Sequence, residues 1–280
     1  MNRRFQLVDV FGDRPLSGNP LAVVFDADNL DSEQMQQIAR WINLSETTFL
    51  CSPTRGDADY RVRIFTPARE LPFAGHPTLG TCHAWLTASG RVRGTGEVIQ
   101  ECGAGLIRIR RTDSALAFEA PPLIRSGPVD EPKLDEIARF LRVGRSQIVD
   151  ANWADNGPGW IVVLLASAQA VLAVEPVHEF PTPVDVGIVG PYPVGSQVAF
   201  ELRAFFTDHQ RAVREDPVTG SLNASVAQWL LASGRASSPY IASQGTCVGC
   251  SGRIAIDQDA AGTVWVGGRV NTVFSGTCTM

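Results

Sequence analysis

Lysine is almost missing: Lys133 is the only one in 280 residues. Pyridoxal phosphate chemistry needs a lysine to hold the cofactor as a Schiff base. This one stands in the charged run "DEPKLDEIARF", which reads as an exposed helical face and speaks against that chemistry. No Walker sequence and no G-x-G-x-x-G occurs, since Gly103-Ala104-Gly105 lacks the last glycine and the following helix. Nucleotide cofactors are therefore unsupported. Ser221-Leu222-Asn223 lacks the trailing glycine of a hydrolase elbow, which argues against a serine hydrolase. No apolar run is long enough to cross a bilayer. The longest, Trp160 to Val174, carries Ser167 and Gln169 and reads as buried strand and helix.

Basic residues are scattered, and the formal charge is -5, so no concentrated positive face marks a nucleic-acid partner. The opening "MNRRFQLVDVFG" runs straight into an alternating strand pattern and lacks the character of a secretion signal. Cys51, Cys82, Cys102, Cys247, Cys250 and Cys278 are irregularly spaced in a chain too long to need stapling, so reduced thiols in a cytoplasm are expected. Cys247-x-x-Cys250 has no second ligand pair at a recognisable spacing, and no metal site is assigned. With 44% hydrophobic residues, the chain can bury one large core or two lobes. The expectation is a soluble globular protein with a small-molecule partner, neither nucleic-acid-binding nor membrane-bound.

What the chain does contain is an internal repeat. "PFAGHPTLGTCHAWLTASG" (72–90) lies over "DPVTGSLNASVAQWLLASG" (216–234), with Trp85 on Trp229, Leu86 on Leu230 and Ala88-Ser89-Gly90 on Ala232-Ser233-Gly234. Upstream, "RIFTP" is echoed by "RAFFT"; downstream, Gly105-Leu-Ile-Arg-Ile is echoed by Gly252-Arg-Ile-Ala-Ile. Three matches in order indicate a duplicated architecture. Each half reads as strand, loop, helix and further strands. Tyr60 to Phe65 alternates as a half-buried strand. Leu79, Cys82 and Leu86 share a face in one helix, as do Leu222, Val226, Trp229 and Leu230 in the other, and Gly90 and Gly234 stop them. An earlier helix fits "DSEQMQQIARWIN", capped by Asp31 with Gln34 three residues on and an apolar stripe of Met35, Ile38 and Ile42. Pro and Gly accumulate over 120–132, which sets the expected boundary: an N-terminal lobe over 1–122, with 270–280 a candidate to complete it, and a C-terminal lobe over 123–280. The expected class is α+β, two pseudo-symmetric lobes, each with strands around one central helix.

Candidate chemistry sits in two polar loops that open the repeated helices, "FAGHPT" and "EDPVTGS". If the lobes are symmetric the loops would face each other. Helix N-termini carry unpaired N–H groups and the positive dipole end, which suits a carboxylate or a developing enolate. Gly75-His76-Pro77 and Gly220-Ser221 could also serve only as caps and turns; Asp216 and His76 tilt the reading toward a site. Glu46, in "NLSETTFL", is an acid among apolar neighbours. Desolvation there would push its pKa above about 4.3, toward a range useful for proton transfer. His83 reads as packing or surface; His178 and His209, in Glu- and Asp-containing loops, are given no role.

Four stretches together, "VDVFGDRPLSGNPLAVV", "NLSETTFL", "FTPARELPFAGHPTLG" and "EDPVTGSLNASVAQWL", resemble the phenazine-biosynthesis isomerase (PhzF-like) family, of the diaminopimelate epimerase-like fold. The resemblance implies two lobes, each a β-barrel-like sheet around a central helix, no cofactor and commonly a homodimer. It implies that Glu46 is the catalytic acid/base, that His76 and Asp216 bind and polarise the substrate and tune Glu46, and that Ser45, Gly75, Gly220 and Ser221 line the substrate pocket. The related epimerases place a cysteine on each side of the substrate. This chain has none in the equivalent loops, which favours isomerisation by one glutamate over two-cysteine racemisation. In "SQGTCVGCSGRIAI" the family's Gln-Gly and Arg253-Ile254 are kept, but Cys250-Ser251-Gly252 stands where Arg-Pro-Ser is usual. The expected reaction moves a proton between carbons of a small carboxylate, a dihydro-hydroxyanthranilate-like ring being one candidate. Alternatives are a non-catalytic small-molecule-binding homologue and a cysteine-dependent epimerase using Cys82 or Cys247.

Overall fold

The computed structural model describes residues 2–88, 90–92, 96–112, 115–208 and 211–279; Ser89 of the repeat and His209 lie outside them. The chain divides into two compact units, residues 1–119 with 267–280, and residues 120–266. Among the described residues no helix is long and apolar enough to cross a membrane.

In the first unit, strand Asn2–Val10 pairs antiparallel with Val270–Thr279 on one side and Asn19–Val24 on the other. Helix α1 (Ser32–Ile42) then returns the chain to Thr47–Cys51, which runs parallel to Asn19–Val24. The capping box read from the sequence is formed: Asp31 accepts from Gln34 N at 2.8 Å, and the Gln34 side chain accepts from Asp31 N at 3.1 Å. Met35 and Ala39 carry the buried face of α1 onto Val24, Phe49 and Phe65. Next comes Tyr60–Phe65, antiparallel to Thr47–Cys51, with Tyr60, Val62 and Ile64 inward as the alternation predicts. Helix α2 (Gly75–Thr87) leads to Glu97–Cys102, which lies parallel to Tyr60–Phe65 and antiparallel to Gly105–Arg111.

The second unit repeats this plan. Ile148–Asp155 pairs antiparallel with Ile161–Leu165. α3 (Glu131–Leu141) precedes them, capped by Asp130, and buries Leu134, Ile137 and Phe140 in a cluster with Val163, Ile188 and Phe205. α4 (Ala168–Leu172) connects Ile161–Leu165 to its parallel neighbour Asp185–Pro191, so the segment 160–174 is the buried strand and helix expected. Phe200–Thr207 follows antiparallel; α5 (Gly220–Ala232) then connects it to the parallel strand Tyr240–Gln244, itself antiparallel to Gly252–Gln258. "RIFTP" and "RAFFT" thus lie on equivalent strands, as do Gly105-Leu-Ile-Arg-Ile and Gly252-Arg-Ile-Ala-Ile.

α2 is buried from Gly75 through Cys82 and touches six strands of its unit, Asn2–Val10, Asn19–Val24, Thr47–Cys51, Glu97–Cys102, Leu116–Glu119 and Val270–Thr279. α5 is buried from Gly220 through Ala227. A helix buried over consecutive positions, its polar side chains bonded inside, is a core helix. That explains why the single faces predicted for α2 and α5 understate their burial.

Two details correct the repeat as aligned by sequence. The N-caps are Ala74 and Thr219, and at the other ends Gly90 N bonds Trp85 O while Arg235 N bonds Leu230 O. Gly75 therefore answers Gly220 and His76 answers Ser221, one residue out of step with the match of Trp85 to Trp229. One residue is about 100° around a helix, so the matched indoles lie one position apart in the two helices and the boundaries carry the equivalence. Gly234 ends α5 with φ +69°, but Gly90 is not left-handed. Instead, a Cβ on Gly90 would lie 2.4 Å from the Trp85 ring.

Candidate active site

Glu46 is placed by the end of α1. Asn43 closes that helix in the left-handed conformation, its N–H on Ala39 O, and Ser45 and Glu46 follow, half-buried, immediately before Thr47 enters the sheet. The strand is tied to α2 from the inside: Thr81 Oγ1 donates to Thr48 Oγ1 at 2.9 Å, both groups fully buried. His76 occupies the first turn of α2, between Gly75 and Pro77. Pro77 costs nothing there, because first-turn N–H groups have no partner inside the helix.

These elements bring His76 Nε2 to 3.5 Å from Glu46 Oε2, with side-chain exposures of 4% and 15%. Burial pushes the His76 pKa down to about 3. A carboxylate at that distance favours the imidazolium, yet loss of hydration in a closed site outweighs it. The ring is therefore neutral near pH 7. Asn19 Nδ2 lies 3.4 Å from His76 Nδ1 and is fully buried. An amide nitrogen only donates, so this contact calls for Nδ1 as acceptor, which would leave the ring proton on Nε2, toward Glu46.

In the second unit Asp216 ends the strand Val213–Asp216 and is 9% exposed. Thr219 Oγ1 donates to Asp216 Oδ2 at 2.6 Å. Gln244 organises the rest. Its Oε1 accepts from Thr219 N at 3.0 Å and Asn223 Nδ2 at 2.8 Å, and its Nε2 donates to Thr219 Oγ1 at 2.9 Å and Asp216 O at 3.2 Å. Gly220 and Ser221 form the first turn of α5. Trp160 Nε1 donates to Ser221 Oγ at 3.2 Å, and Asn156 Nδ2 to its carbonyl at 2.9 Å.

The first unit has a matching clamp. Gln100 Nε2 donates to Thr78 Oγ1 at 2.9 Å, and Tyr60 OH donates to Gln100 Oε1 at 3.0 Å. Thr78 Oγ1 also reaches back to Ala74 O at 2.9 Å, as Asn223 Nδ2 does to Thr219 O at the same distance. In both units a strand glutamine thus fixes the start of the central helix. Sequence reasoning assigned no role to Asn19, Gln100, Thr219, Asn223 or Gln244. Gln100 and Gln244 occupy corresponding places after the repeated helices, which is the signal that could have found the clamps.

Gln244→Leu is expected to lower stability by roughly 2–3 kcal/mol, because it leaves Thr219 N and the Asn223 amide buried without this acceptor. Urea denaturation checks it, and an unchanged midpoint would show that the clamp does not hold α5.

The remaining cysteines and histidines fall elsewhere. Cys82 is fully buried in α2, and burial pushes its thiol up to about 12. Cys247 is exposed, its pKa also raised by desolvation. His83, read from the sequence as packing or surface, is half-buried, with Thr272 Oγ1 at 2.9 Å. Among the described residues no group of three or more His, Cys, Asp or Glu could hold a metal ion.

The family model described as "Phenazine biosynthesis-like protein" matches residues 8–276. The chain belongs to that family. Antisense-enhancing sequence 1 of Schizosaccharomyces pombe is 35% identical over 97% of each chain. The trans-2,3-dihydro-3-hydroxyanthranilate isomerase of Pseudomonas chlororaphis is 38% identical over 62% of this chain and 61% of its own length. Among solved structures, a predicted epimerase from Pseudomonas aeruginosa superposes with a TM-score of 0.80 at 26% identity, covering 99% of each chain. This phenazine biosynthesis-like chain is accordingly an isomerase, of the mixed α/β fold that also includes a probable proline racemase from Agrobacterium radiobacter (TM-score 0.63, 14% identity, 99% of this chain and 93% of that one).

Proposed function

We propose that the protein transfers a proton between carbons of a small cyclic carboxylate, with Glu46 as the acid/base. The observation that carries this reading is the approach of buried His76 Nε2 to 3.5 Å from Glu46 Oε2, with burial holding the imidazole neutral. Glu46 takes the proton from a carbon next to an unsaturated, carboxylate-bearing system. The electron pair left behind delocalises into that system, and the protonated Glu46 returns the hydrogen to another carbon. No electrons are gained or lost, so the step needs no redox partner. His76, donating without changing charge, holds the carboxylate while it gains and loses the proton. Asp216, Gly220 and Ser221 supply substrate contacts, as do Ser45 and Gly75.

The named activity of the P. chlororaphis relative supplies the substrate to try first. Incubated with trans-2,3-dihydro-3-hydroxyanthranilate in deuterated water, the enzyme is expected to convert it to an isomer carrying deuterium at the newly protonated carbon. Conversion should be unaffected by iodoacetamide, since the Cys82 thiol is closed off and fully protonated. Thermal stabilisation by the compound without conversion would favour a binding protein. Inactivation by the alkylating agent would favour a cysteine mechanism.

A further inference from the structure

The stretch "VDVFGDRPLSGNP" has no reacting group in the scheme above, yet its fold is tightly specified. Asp9, 3% exposed, accepts from Ser17 N at 3.1 Å through Oδ2 and from Gly18 N at 2.8 Å through Oδ1. The loop between them is folded back so closely that a Cβ on Gly18 would lie 2.1 Å from Val10 O and 2.5 Å from Gly12 N. Only glycine fits. The next residue, Asn19, is held opposite Val10 in the sheet and faces His76 Nδ1.

We propose that Asn19 is a positioning residue: its amide donates to His76 Nδ1, confines the ring proton to Nε2, and so aims an N–H at Glu46. The Asp9-clamped loop holds Asn19 in place. A neutral imidazole has one N–H, and the nitrogen that accepts from Asn19 cannot carry it. With the proton on Nδ1, the lone pair of Nε2 would face the Glu46 carboxylate oxygen at 3.5 Å, a repulsive contact. The tautomer thus decides whether His76 supports Glu46 or pushes it away. The catalytic consequence rests on Glu46 being the acid/base; the tautomer itself does not.

The test uses the full chain labelled with nitrogen-15 histidine, the His76 signal being assigned by its loss in His76→Gln. Two-bond nitrogen–proton correlation spectra at neutral pH report which ring nitrogen is protonated. The wild-type protein is expected to show Nε2–H. Asn19→Asp replaces the donor with a carboxylate, which needs a donor in return, so a proton should appear on Nδ1, in a neutral ring or an imidazolium. With trans-2,3-dihydro-3-hydroxyanthranilate as substrate, the same variant should lose at least about tenfold in kcat, with KM changed by less than about twofold, as expected of a group felt mainly in the transition state. Nδ1–H in the wild type overturns the proposal without any variant, so a misfolded Asn19→Asp does not rescue it. A proton that stays on Nε2 alone in a folded variant, or an unchanged kcat after the proton has moved, overturns it equally. If the wild type does not convert this substrate, the function proposed above fails on that substrate, while the spectra still decide the tautomer.

Discussion

Glu46→Gln should lower kcat on a turned-over substrate by roughly 100- to 10,000-fold while leaving KM within a few-fold, the range that a positioned general acid/base contributes. Glutamine has the same shape, and its amide oxygen can occupy the place of the Glu46 oxygen that lies 3.5 Å from His76 Nε2. The fold and the substrate pocket are therefore retained, and what is removed is a group that can take up and release a proton. Deuterium incorporation from solvent should fall in step with turnover. Activity close to wild type would mean that another residue moves the proton, and the catalytic assignment would be withdrawn. A fall in affinity with kcat preserved would make Glu46 a binding group only.

The second large effect is on acid stability. His76 has its pKa lowered from 6.5 to about 3 by burial, so the native state does not bind the proton that the unfolded chain takes up below pH 6.5. Where the unfolded state holds more protons, stability rises with pH, at about 1.4 kcal/mol per pH unit for one proton. The contribution is complete above pH 6.5 and is lost as pH falls toward about 3. Lowering the pH from 7 to 4 should cost the wild type roughly 3 kcal/mol more than it costs His76→Gln, which has no titrating ring. His83, also lowered by burial, adds to the acid loss in both proteins. Asp9, raised chiefly by desolvation against the pull of its backbone hydrogen bonds, acts with the opposite sign in both. Comparing the two proteins cancels these terms. Parallel urea curves at the two pH values for wild type and variant would show that His76 is protonated in the native state.

The two readings make one physical picture. The neutral ring that costs stability in acid is also the ring that can donate to a carboxylate without pairing with it as an ion. A charged imidazolium would stabilise ionised Glu46 and make it a poorer base. The buried threonines and glutamines behind the helix starts fix backbone and side chains within each unit, and a group fixed in advance needs less reorganisation when it reacts.

Much of the architecture was legible in the chain because it rests on short-range patterns. The Asp31–Gln34 capping box, the alternation of Tyr60–Phe65 and the echo of one half in the other are local, and the structure contains all three. Glu46 and His76 could be named from their sequence settings and from family resemblance. Their contact could not, because it is made by residues far apart in the chain that two different parallel crossovers bring together. The register of the repeat was misread by one residue for a related reason. Amino-acid identity aligned the indoles, whereas helix boundaries are set where the sheet ends and the chain turns. Asn19, Gln100 and Gln244 were passed over because an uncharged amide has no chemistry that advertises itself in a sequence. What such a group does depends on which donors and acceptors are buried around it. The sequence by itself determined the elements, the duplication and the residue types available for proton transfer. The tertiary structure alone decided which of those groups lost their water and which atom faces which, because desolvation and hydrogen-bond direction are properties of the packed chain.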